Sequence, residues 1–141
     1  MHFPYSLVME SNQIKKILPF DDIWNNLDVL EKRLLEVSSS SNDYLTSISQ
    51  YLINAGGKRF RPIVTFLAGK FGKEEENISK IIDAGVCVEL IHIGSLYHDD
   101  VMDNATTRRG VESTNSKWNS TLSILAGDYL LARSSELAAK N

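Results

Sequence analysis

Three aspartates, Asp99, Asp100 and Asp103, crowd into the stretch HDDVMDNATTRRG, and two adjacent arginines, Arg108 and Arg109, follow after a gap of four residues. The stretch closes a long apolar segment whose helical spacing sets His92, Asp99 and Asp103 within about 20° of one line along a helix, facing one cavity. Carboxylates one turn apart suit a hard divalent cation such as Mg²⁺, which keeps several waters and borrows phosphate oxygens. Acids at a helix C-terminus oppose the macrodipole and repel each other, so a bound cation explains them better than a solvated helix end does. Asp100 lies about a quarter-turn aside. Beyond the acids, Arg108 and Arg109 can fork onto diphosphate oxygens, with the anion between the opposite charges. An EF-hand is excluded, because Asn104 stands at the sixth position of DDVMDNATTRRG, where the loop needs glycine.

A second basic cluster, GGKRFRP at Gly56 to Pro62, places Lys58, Arg59 and Arg61 between a helix stop and a helix start. Glycines admit an anion close to the backbone, and the N–H groups of the following helix add partial positive charge. The Walker pattern is absent. Three bases at a turn are often merely solvated, and a lone histidine on an apolar face is often a core residue. Together with TTRRG, Lys58, Arg61 and His92 point instead to two phosphorylated substrates meeting over an apolar helix. His98 turns away from that line and has no assigned role.

The elements that must carry these groups read as all-α, since the periodic segments have helical spacing and no hairpin-bounded alternation occurs. An N-terminal arm, residues 1–19, precedes a helical bundle over 20–141. The first helix, FDDIWNNLDVLEKRLLEV, is capped by Asp21 or Asp22 and ends at the serine run 38–41. Asn42 or Asp43 caps one helix over YLTSISQYLINA, which Gly56 and Gly57 stop. Pro62 fits the first turn of PIVTFLAGKF, a helix apolar nearly all round and hence central. The longest helix runs from near Glu75 to near Asp103, about 40 Å at 1.5 Å per residue. A loop holds Thr106 to Gly110, and a last helix starts near Ser120 with a wide apolar face that wants further partners.

The 141 residues are 43% hydrophobic and 23% charged with a formal net charge of −3, the balance of one soluble domain with a core. That charge argues against a nucleic-acid surface. The single cysteine, Cys87, has no partner for a disulfide and too few companions for zinc, so a buried thiol in a reducing, cytoplasmic compartment is expected. No basic and apolar leader opens the chain, and the apolar run from Gly85 to Tyr97 is too short to span a bilayer.

GGKRFRP, ELIHIGSLYHDDVMDNATTRRG and LAGDYLLA, in this order and spacing, resemble the trans-isoprenyl diphosphate synthases of the polyprenyl synthetase family from about Asp43 onward, most nearly the catalytic heptaprenyl type. The resemblance implies the N-terminal part of an isoprenoid-synthase helical bundle. It implies Lys58, Arg61, His92 and Arg109 on the diphosphate of isopentenyl diphosphate, and Arg108 on an allylic diphosphate. Asp99, Asp100 and Asp103 would form the catalytic DDxxD motif, with Asp99 and Asp103 binding Mg²⁺ in head-to-tail prenyl transfer. Gly94 and Ser95, small residues just before DDxxD, would leave room for a medium-to-long product. The family further implies a homodimer, or a heterodimer with a regulatory subunit, and a product that associates with membrane. A second aspartate-rich motif does not follow Asp103, and Asp128 is not one, so the chain is expected to be inactive alone. Two alternatives are a non-catalytic helical subunit and, from His98-Asp99, an HD-type metal phosphohydrolase, which lacks its further ligands here.

Overall fold

A computed structural model describes residues 18–72 and 74–140, with the side chains of 74–76 outside that description. Most of the expected N-terminal arm therefore lies outside the described residues. Helix α1 covers Asp21–Ser38 and α2 Asp43–Ser49; a single turn, α3, Tyr51–Asn54, continues α2 after Gln50. Helix α4 is Phe60–Gly69 and α5 Glu74–Met102. Strands β1, Thr107–Arg108, and β2, Val111–Glu112, precede the short α6, Thr114–Lys117, and the long α7, Ser120–Ala139.

The predicted caps are met in part. Asn42 Oδ1 accepts from the N–H groups of Tyr44 and Leu45, closing the start of α2. At α1 the residue before the helix is Phe20, without a side-chain cap, and Asp21 and Asp22 stand inside the first turn, where their charge favours the positive helix end. The expected Thr106–Gly110 loop is a small antiparallel hairpin with Thr107 opposite Glu112 and Arg108 opposite Val111. Arg109 (φ 53°) and Gly110 (φ 78°) form its turn in the left-handed conformation that suits two-residue hairpin turns. Strands of two residues are too short to leave an alternating pattern in the sequence.

Helix α5 is the axis, packed along α7 and α4 with α1 against it. Ile23, Leu30 and Leu34 of α1 are fully buried, with Ile48, Leu52, Phe66, Leu90, Ile93 and Leu130. Tyr97 is also fully buried, its hydroxyl donating to the Ile48 carbonyl at 2.6 Å, and burial pushes its pKa up to about 12. Cys87 is buried as expected, and its thiol is pushed up by that burial.

Two glycines let α5 and α7 approach backbone to backbone. A Cβ on Gly94 would stand 3.1 Å from the Gly127 carbonyl oxygen, and one on Gly127 would stand 2.5 Å from His98 Nε2. His98 thus points away from the His92 face, as expected, toward the Ile124 carbonyl and Asp128, both at 3.2 Å.

Helix α4 departs from its expected central position. Pro62, Ile63 and Phe66 are buried, but Phe60 and Val64 are exposed. One flank of α4 meets a groove, and its apolar composition serves that groove as well as the core. On α7, Ile124 and Leu125 are exposed, the unpartnered apolar face that the sequence predicts.

Candidate diphosphate and metal site

The helix that carries the acids ends in a defined way. Asn104 takes φ 50°, while the Ala105 N–H reaches the Asp100 carbonyl at 2.9 Å and the Asn104 N–H reaches the Val101 carbonyl at 3.3 Å. These are the paired bonds of a Schellman stop, with asparagine in the left-handed position that glycine usually holds. The Ala105 carbonyl then accepts from Ser113 Oγ at 2.6 Å and Asn115 Nδ2 at 3.0 Å, which ties the turn to the start of α6.

The three aspartates separate here. The Asp103 N–H bonds the Asp99 carbonyl at 2.8 Å, so the helical path continues through both residues and holds them one turn apart. Asp99 is half-buried and Asp103 exposed. Among the described residues, neither carboxylate makes an ion pair or hydrogen bond to a side chain. Asp100 instead is fully buried, and its Oδ1 receives Arg108 Nε at 2.8 Å and Nη2 at 2.5 Å. Asp100, expected in the catalytic motif with Asp99 and Asp103, is turned by a quarter-turn of helix into the protein, where it orients Arg108. Arg108 is held above its ordinary pKa by Asp100 first, with Asp99 and Asp103 adding to the effect, so it stands beside all three acids.

Two carboxylates with free oxygens form a hard oxygen set that fits Mg²⁺, an ion that completes its shell with water and phosphate. Among the described residues no group of three or more ligating side chains converges, so a closed protein cage is not formed.

The basic residues also divide. Arg61, His92 and Ser95 line a groove of about 560 Å³ with Phe60, Val64, Thr65, Val88 and Ile91. Burial first, and then the charge of Arg61, lowers the His92 pKa; Arg109 and Arg59 act in the same sense and Glu89 against them. Arg61 and Arg109 thus lie close enough to His92 for their charges to act on it. Lys58 is exposed on the same turn. Arg109 is less open than expected, because its Nη1 donates to the carbonyls of Leu52 at 2.8 Å and Gly56 at 2.5 Å.

Of the two residues expected to face a growing chain, Ser95 lines the groove. Gly94 does not: it is buried at the α7 crossing, close to Leu131 as well as Gly127. Adjacent helix positions diverge by about 100°, so two neighbours cannot both face one groove squarely.

Sequence reasoning missed the interior of the basic turn. Arg59 is buried, with Nε and Nη2 on Glu31 at 2.5 and 3.0 Å, Nη1 on Glu89 at 3.1 Å and Nη2 also on the Ile53 carbonyl at 3.1 Å. The signal was present: a lone glutamate inside the apolar run GVCVELIHI demands a buried cation.

The longest helix of the bundle thus ends in two carboxylates without side-chain partners among the described residues, with an apolar groove and a basic turn against the same helix. Residues 42–141 match the polyprenyl synthetase family model, and the chain belongs to that family. It is 50% identical over 90 residues to the nonaprenyl diphosphate synthase of Mycobacterium tuberculosis, covering 64% of this chain and 27% of that protein. It is 36% identical over 129 residues to heptaprenyl diphosphate synthase component 2 of Bacillus subtilis, covering 92% of this chain and 36% of that one. Among solved structures, heptaprenyl diphosphate synthase from Staphylococcus aureus superposes with a TM-score of 0.79 at 37% identity, covering 83% of this chain and 37% of that chain. The chain thus spans about a third of the length of these relatives. Among the described residues no helix is long and apolar enough to cross a membrane.

Proposed function

We propose that this chain supplies the first aspartate-rich motif and the basic turns of a long-chain trans-prenyl diphosphate synthase, which adds isopentenyl diphosphate head-to-tail to an allylic diphosphate. The observation that carries this reading is the joint placement of Asp99 and Asp103 with Arg108 at one end of α5 and of Arg61 and His92 along its groove. In this reading Lys58, Arg61 and His92 bind the diphosphate of isopentenyl diphosphate, with Arg109 behind them. Arg108, oriented by Asp100, meets the allylic diphosphate. Asp99 and Asp103 hold Mg²⁺, which when bound stabilises the charge developing on the leaving diphosphate. Phe60, Val64 and Ile91 line the groove with apolar surface suited to a prenyl tail, and Ser95 leaves it open. The relatives are more than twice as long, and the unpartnered face of α7 at Ile124 and Leu125 is where further helices or a partner subunit would pack. The chain by itself is therefore proposed to bind substrates without turnover, and prenyl transfer by the purified chain would overturn that.

The test of the site is Mg²⁺-dependent binding of a non-hydrolysable allylic diphosphate analogue. Asp99→Asn together with Asp103→Asn is expected to remove the Mg²⁺-dependent part, roughly 100-fold or more in affinity, and to keep or tighten binding in EDTA, where two negative charges have gone from beside the anion. Equal Mg²⁺ enhancement in the double variant would defeat the assignment.

His92 adds a proton-linked prediction. Its pKa lies below the ordinary histidine value in the free chain, and a neighbouring diphosphate would raise it. Between the two values binding takes up a proton, so this contribution to affinity grows as pH falls through the raised, ligand-bound pKa and levels off below the lowered pKa of the free chain. Calorimetry in buffers of different ionisation enthalpy should show uptake that disappears in His92→Gln; identical proton counts for both chains would remove His92 from the site.

A further inference from the structure

The carboxylate of Glu89 is 2% exposed and is shared by two arginines from distant parts of the chain, Arg59 Nη1 at 3.1 Å and Arg109 Nη2 at 3.6 Å. Each arginine sits in a backbone conformation that non-glycine residues seldom adopt, with φ 48° at Arg59 and φ 53° at Arg109. Between their guanidiniums lies Gly57, where a Cβ would stand 3.1 Å from both Arg59 Nη1 and Arg109 Cζ. Arg59 belongs to the basic turn and bridges to Glu31 of α1, while Arg109 belongs to the hairpin and reaches back to the carbonyls at the end of α3. Two guanidiniums packed this closely repel each other, and Glu89 offsets that repulsion from below. Immediately outside this buried set stand Lys58 and Arg61, which flank Arg59 in the chain, and His92, one helical turn beyond Glu89.

We propose that Glu89 is a positioning residue of the anion site: by holding Arg59 and Arg109 together it fixes the basic turn and the arginine hairpin at the separation a diphosphate requires. The inference rests on the reading of these turns as a diphosphate site. It makes a prediction against simple electrostatics. Glu89→Gln raises the net positive charge beside the site by one, which alone would tighten the binding of an anion. If position matters more, the same change weakens binding, because a neutral amide oxygen holds two mutually repelling guanidiniums much less strongly than a carboxylate does. Glu89→Asp keeps the charge but draws the carboxylate back by one methylene, which alone would leave affinity unchanged.

The experiment is titration of the chain with inorganic pyrophosphate in EDTA, followed by ³¹P NMR or calorimetry, with helix unfolding monitored in parallel. Both variants are expected to bind at least about tenfold more weakly than the unsubstituted chain while unfolding cooperatively. Tighter or unchanged binding in Glu89→Gln, or unchanged binding in Glu89→Asp, overturns the proposal. Where Glu89→Gln fails to fold, Glu89→Asp carries the decision, and loss of cooperative unfolding in both overturns it by assigning Glu89 to stability alone. Arg61→Ala separates the two levels: if it leaves pyrophosphate affinity unchanged, the diphosphate reading of the turn fails, whatever the Glu89 variants do.

Discussion

Replacing Arg59 by methionine is expected to bring the chain close to unfolding at room temperature. The methionine fills much the same volume, so packing loss is small and the effect isolates the charge. Arg59 has a side chain 6% exposed, and its guanidinium bonds Glu31, Glu89 and the Ile53 carbonyl. Burial alone would lower its pKa, but Glu31 and Glu89 outweigh that and hold it above its ordinary value. Without it, Glu89 keeps only Arg109 at 3.6 Å, and a carboxylate 2% exposed is left short of a partner. Breaking a buried ion pair from one side costs about 3–5 kcal/mol, against total stabilities of about 5–15 kcal/mol for ordinary domains. Urea denaturation followed by circular dichroism measures it directly. A loss below about 1 kcal/mol would show that the network adds little to stability.

Gly94→Phe is expected to be the second most damaging change, for a reason different from the one its place before the aspartates suggests. A Cβ at this position already meets the Gly127 carbonyl at 3.1 Å and Leu131 Cγ at 3.2 Å. A carbonyl on a helix cannot swing aside as a side chain can, so the whole ring must part α5 from α7. Overpacking of this kind costs about 1–3 kcal/mol and occasionally more; at a backbone-to-backbone crossing the upper end is expected. Ser95→Phe, one residue later, projects into the groove and should change stability by less than about 1 kcal/mol. Thermal unfolding of the pair decides the matter, since similar losses in both would contradict the placement of Gly94. In a longer, active form, Ser95→Phe is then the substitution that tests shortening of the product.

The two predictions illustrate different limits of sequence reasoning. The chemistry along α5 was legible because an α-helix is a local structure. Its period alone places His92, Ser95, Asp99 and Asp103 along one face, and backbone bonding carries that face through Asp103. The Asn42 cap was legible on the same grounds.

What the linear pattern could not resolve was which of several like residues each partner takes. In GGKRFRP, Lys58, Arg59 and Arg61 are equivalent as text. Arg59 goes inside because Glu31 lies 28 residues before it and Glu89 30 residues after it. Asp99 and Asp100 are neighbours, yet Asp100 is buried because Arg108 comes back across the hairpin to meet it. Gly94 serves a helix crossing because Gly127 arrives opposite it from α7. The sequence by itself determined the groups available for chemistry and the helical face that presents them, since those depend on neighbours a few positions away. Only the tertiary structure decided which charges are bound into the interior and which remain for a ligand. Pairing and desolvation depend on what distant segments bring to the same point, and local spacing carries no record of that.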